Sequence, residues 1–117
     1  MSITRSTALL LYVFALLAAA PAPAAPLRVL GLDDMSCTAW VRSRDDAELR
    51  GRFIAWARGF LSGHNYARQS QQVSDVSNGT VEMFVTRYCS EHAKSSVSEA
   101  AQKMSDLYSG RNAAITK

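Results

Sequence analysis

The chain has 117 residues, with 13 Lys or Arg, 10 Asp or Glu and 2 His, and a formal net charge of +3 at pH 7. That length admits one small domain. Its charges are interspersed: Arg42, Arg44, Arg50, Arg52 and Arg58 have Asp45, Asp46 and Glu48 among them. Such a pattern reads as a solvated helix face and argues against a nucleic-acid or lipid-binding patch, which needs same-sign clustering.

Residues 1–24 read as a secretory signal peptide. Arg5 supplies a positive start, Ala8 to Ala20 is an uncharged apolar stretch of 13 residues, and Ala22-Pro23-Ala24 offers a small-residue cleavage site. The apolar run falls short of the roughly 20 residues a spanning helix needs, so no stable membrane insertion is expected once the leader is cut. Cutting after Ala24 removes 24 of the 117 residues and leaves 93; losing Arg5 leaves 12 cations against 10 acids. The expected location is the periplasm or the exterior.

Cys37 and Cys89 are the only cysteines. An even count in an exported chain implies pairing, because those compartments are oxidising. A metal pair or a catalytic thiol is the alternative, but there is no C-x-x-C, and only His64 and His92 stand by as imidazole ligands.

Along the remaining chain, residues 25–35 are punctuated by Gly and Pro and read as an extended N-terminal arm. A first helix is expected from Ser36, an N-cap residue, with Cys37, Trp40, Val41 and Arg44 on one face. Asp45 and Asp46 are placed to cap a second helix, in which Leu49, Phe53, Trp56, Ala57, Phe60 and Leu61 recur at helical spacing. Gly63-His64-Asn65 is expected to end it. Residues 66–79 are polar and aperiodic, with turn chemistry at Ser77-Asn78-Gly79. A third helix is expected from about Thr80, with Val81, Phe84, Val85, Tyr88 and Cys89 on one face. Ser96-Val97-Ser98-Glu99 forms a capping-box sequence opening a fourth, whose inward residues are Val97, Ala100, Ala101, Met104, Leu107 and Tyr108. It stops at Ser109-Gly110. The expected fold is all-α: a small four-helix, disulfide-stapled domain over 36–110, with 111–117 as a C-terminal tail.

The chemistry-bearing residues are sparse. Ser62 and His64 are the closest hydroxyl and imidazole in sequence, but two positions apart on a helix they point in different directions. Asp33-Asp34 and Asp45-Asp46 are adjacent pairs, not the facing carboxylates of glycoside hydrolysis. There is no Gly-rich phosphate loop, H-E-x-x-H or calcium loop. No catalytic residue, metal site or cofactor is expected. Gly59 and Gly63, four apart on one helical face, carry a cost of up to about 1 kcal/mol each against alanine and so ask for a close approach by another helix or a second copy. Tyr66, with Arg68 beside it, is the aromatic expected outside and open to a partner.

Met35-Ser36-Cys37-x-x-Trp40-Val41, Trp56-x-x-Gly59-Phe60-Leu61-Ser62-Gly63-x-Asn65, Tyr88-Cys89 and Ala100-Ala101 together resemble small two-cysteine periplasmic proteins. Two families are similar in layout: the Rap/Tai-type immunity proteins against type VI secretion toxins, and the HdeA/HdeB acid-stress chaperones. Many relatives would have Asn-Pro shortly after the second cysteine, where this chain has Glu91-His92-Ala93. The resemblance implies a non-enzymatic helical module whose partner is a protein, either a toxin or an unfolded client, and which forms a homodimer. An accessory of an envelope complex is a third expectation. Neither family supplies a catalytic residue.

Overall fold

A computed structural model describes residues 25–110. The signal-peptide reading of 1–24 and the tail reading of 111–117 lie outside the described residues. Four helices follow one another: α1 (Cys37–Arg42), α2 (Ala47–Ala67), α3 (Asn78–Glu91) and α4 (Val97–Tyr108), with single 3-10 turns at Ser43–Asp45 and Gln69–Gln71. Among the described residues there is no strand, and Cys37 and Cys89 form a disulfide with Cα atoms 5.2 Å apart. The all-α, disulfide-stapled expectation holds.

Each helix starts where a side-chain oxygen replaces a missing backbone partner. Ser36 accepts from the Ala39 amide at 3.1 Å, Asp46 from Leu49 at 3.0 Å, Ser77 from Thr80 at 3.1 Å and Ser96 from Glu99 at 3.2 Å. The Ser96 cap forms as expected, but Glu99 accepts from the Ser95 hydroxyl instead of reaching back to the Ser96 amide. The starts of α1 and α4 are also joined to each other. Cys37 N–H donates to Ser95 O at 3.0 Å and Val97 N–H to Met35 O at 2.8 Å. Beside this junction Asp34 accepts from the Ser36 amide at 2.9 Å. Hydrogen bonds from the Ser36 hydroxyl and amide hold the Asp34 carboxyl below its ordinary value of 3.8. A depressed carboxylate pKa contributes stability above the unfolded value, which is lost as pH falls through the folded one. Asp34→Asn should therefore flatten the stability profile below about pH 4, as read by urea unfolding.

The core is built from one face of every helix: Cys37, Trp40, Phe53, Ala57, Leu61, Val81, Val85, Cys89, Val97, Ala100, Ala101 and Met104 are all buried. Small Ala57, Ala100 and Ala101 sit among the large side chains, so α2 and α4 can pack closely.

Several expectations need correction. Val41 is 61% exposed and Arg44 is exposed, whereas Ala39 and Ser43 are buried; six residues are too few for the period to fix the inner face of α1. Ile54 joins the buried face of α2. α2 runs past the Gly63-His64-Asn65 end to Ala67, and α3 opens at Asn78, two residues before the expected start near Thr80. Leu107 is half-exposed instead of inward. The polar 66–79 segment carries two core residues, Val73 and Val76.

Arg50 is not part of a solvated face either. Its side chain is only 13% exposed and lies over the Trp40 ring at 3.8 Å. It donates to Ser43 Oγ at 2.8 Å, to Trp40 O at 2.7 Å and to Glu82 at 3.1 Å. One guanidinium therefore ties α1, α2 and α3 together. Lysine has a single nitrogen and cannot hold that fork. Arg50→Lys should cost about 2 kcal/mol in urea unfolding, the range for charge-assisted hydrogen bonds.

Candidate functional site

The outer face of α2 is unusual in its smallness. Ala47, Gly51, Ala55, Gly59, Gly63 and Ala67 recur every fourth residue along the whole helix, and all are exposed. Residues four apart lie on adjacent turns, each step offset by about 40°, so the small residues form a stripe that winds around α2 with Gly59 and Gly63 adjacent on it. A Cβ built at Gly51, Gly59 or Gly63 would meet nothing within 4 Å. The glycines thus serve no close approach among the described residues.

One end of the stripe is marked by Tyr66, which lies seven residues on from Gly59 on the same face and is 84% exposed. Alongside runs a polar cleft of about 820 Å³, walled by Arg58, Gly59, Ser62 and Asn65 and by residues 69–76. The far wall is fixed to α2 at three points. Asn65 mimics a backbone pair with Val73, donating to its carbonyl at 2.9 Å and accepting from its amide at 2.7 Å. Arg58 donates to Asn78 at 3.2 Å and to Asp75 at 3.3 Å. Val73 and Val76 then anchor the segment in the core.

His64 provides the third tie. Its Nδ1 lies 2.6 Å from Ser105 Oγ on α4, and its Nε2 lies 2.9 Å from Gln71 O and 3.3 Å from Ser109 Oγ. With Nε2–H donating to the Gln71 carbonyl, Nδ1 accepts from the Ser105 hydroxyl. Ser105 is buried, and this pair clasps α2, the 69–71 turn and α4. Ser62, the hydroxyl nearest His64 in sequence, instead donates to Arg58 O at 3.1 Å. Arg68 borders the His64 side with Asp106, so Tyr66 and Arg68 open onto different surfaces and do not form one patch.

The remaining residues of the sequence pattern are packed. Trp40 is in the core, edge-on to Phe53 at 5.8 Å. Trp56 and Phe60 stack at 5.7 Å, and the Trp56 indole donates to Leu30 O at 2.7 Å, pinning the arm across α2. Tyr88 packs against His92 with ring centroids 4.6 Å apart, and its hydroxyl lies 3.0 Å from the Ser95 hydroxyl. Among the described residues no group of three or more His, Cys, Asp or Glu is suited to hold a metal, and no helix is long and apolar enough to cross a membrane.

No family model, curated protein or solved structure matches the chain. The reading of the site therefore rests on its own geometry.

If the stripe glycines are idle inside the fold, replacing them is beneficial to it. Gly59→Ala and Gly63→Ala should each raise stability by about 0.5–1 kcal/mol, measured by thermal or urea unfolding.

Proposed function

We propose that this protein is a non-enzymatic, periplasmic or secreted binding module of the immunity or inhibitor kind, which engages one protein partner in its folded state. The observation that supports this is the stripe on α2: glycines that cost helix stability, touch nothing within the domain and leave a low-profile face for a partner helix. Tyr66 beside it is a large, rigid anchor of the type that dominates protein interfaces. The disulfide suits an oxidising compartment, and the resemblance to Rap/Tai-type proteins points the same way.

Partner capture tests the reading. Wild-type protein and Gly59→Arg are immobilised at neutral pH and exposed to periplasmic or culture proteins of the source cells. A Cβ at 59 meets nothing within 4 Å, so the arginine starts from open space, and circular dichroism verifies that the fold is retained while the stripe is blocked. One protein held by the wild type and lost from Gly59→Arg is the expected result; identical retention on both contradicts it. Sedimentation of the two proteins identifies the case in which the captured partner is a second copy, the homodimer form of the same reading.

The HdeA/HdeB-like alternative makes a different demand. At pH 2 the 12 cations of the leaderless chain and its 2 histidines are unopposed by carboxylates, and the staple keeps the expanded chain together. An acid chaperone would then suppress light scattering by an unrelated aggregating protein at pH 2–3. The folded-module reading expects no suppression.

A further inference from the structure

A second surface, formed by α3 and α4 without any α2 residue, has a different chemistry. It is a concave groove of about 340 Å³ with an aromatic floor: Phe84 meets Tyr108 edge-on at 6.0 Å and 66°, and Tyr88 lies beside them. Met83 and Leu107, 42% and 48% exposed, stand on its two sides. Its rim carries Arg87 on α3 and Lys103 on α4. Arg50, Arg52 and Arg58 all have carboxylate partners, but among the described residues neither Arg87 nor Lys103 is in an ion pair. Glu91 is the one acidic side chain on the lining, so the rim is net positive.

We propose that this groove docks an amphipathic helix of a partner protein, with apolar side chains between Met83 and Leu107 and acidic side chains against Arg87 and Lys103. The shape suits a helix, because two packed helices present a furrow into which the ridge of a third fits. The charge selects the occupant. A second copy using this same face would bring two net-positive rims together, whereas an acidic segment would neutralise the rim. The chain's own residues 111–117 carry Arg111 and Lys117 and no acid, so they repel the rim as well. An anionic bilayer shares the sign but is flat, whereas the apolar floor is recessed. Leaving unpaired cations beside exposed methionine and leucine is consistent with a rim that steers an acidic segment and a floor that holds it.

The test is fluorescence anisotropy of a labelled 15-residue helical peptide with Leu at i, i+3, i+4 and i+7 and Glu on its flanks, titrated with the leaderless protein at pH 7. A second peptide has Lys in place of every Glu, and phosphatidylglycerol vesicles form a third arm. The Glu peptide should bind at least about tenfold more tightly than the Lys peptide, and weaken as salt is raised. Leu107→Glu should lose at least about tenfold in affinity, as should Arg87→Glu combined with Lys103→Glu. Leu107, Arg87 and Lys103 are all at the surface, and circular dichroism verifies that the variants fold. Gly59→Arg should bind the Glu peptide unchanged, which separates this groove from the α2 face. Equal binding of both peptides, indifference to the rim reversal, binding of vesicles alone, or self-association through this face would each overturn the proposal.

Discussion

Reduction of the Cys37–Cys89 disulfide should lower the stability of the domain by about 4 kcal/mol, the loop-entropy value for half-cystines 52 residues apart. Against a total of about 5–15 kcal/mol for a domain of this kind, that is enough to unfold a sizeable fraction on mild heating. The bridge joins α1 to the last turn of α3, and α1 has only six residues, far too few to persist as an isolated helix. With the bridge cut, α1 is held by the Ser36–Ser96 junction, the Arg50 fork and the burial of Trp40. Urea unfolding with and without reductant measures the loss. The double variant Cys37→Ala, Cys89→Ala should show a similar loss without any redox reagent. An unchanged midpoint on reduction would show that the staple does not constrain the unfolded chain.

Trp40→Ala should cost about 3–5 kcal/mol, the range for emptying a large aromatic site in a core that relaxes only in part. Trp40 is fully buried between Phe53 and the Arg50 guanidinium, and its indole N–H donates to Thr86 Oγ1 at 3.2 Å. Alanine leaves a cavity and removes the ring on which Arg50 lies. Trp40→Phe keeps most of the volume and loses the indole hydrogen bond, so it should fall between wild type and alanine. Equilibrium unfolding of the series gives the order. A loss below about 1 kcal/mol for Trp40→Ala would mean that α1 is not a full member of the core.

The helix starts were readable because capping is local chemistry: Ser36, Asp46 and Ser96 act within three residues of themselves. The end of α2 was not, because its continuation past Gly63 rests on partners far away in sequence. Asn65 finds the Val73 backbone and His64 finds Ser105, 41 residues on. Val73 and Val76 escaped notice for the reverse reason: two isolated valines in a polar stretch have no period to reveal them. Arg50 looked like its neighbours in the charged run, and only the folded positions of Trp40, Ser43 and Glu82 set it apart. At the candidate site, the exposure of Tyr66 and the spacing of Gly59 and Gly63 were visible in the sequence. That the glycines face open space was not, because a glycine pair looks the same whether the helix it admits is internal or foreign.

Site-specific photo-crosslinking from position 66 tests the central claim most directly. Benzoylphenylalanine in place of Tyr66 keeps an aromatic ring at the exposed end of the α2 stripe, and irradiation of intact cells at neutral pH records what touches it. A folded, single-partner module should give one discrete adduct of defined mass, lost when Gly59→Arg is added. A broad ladder of adducts unaffected by Gly59→Arg, or no adduct at all, would contradict it.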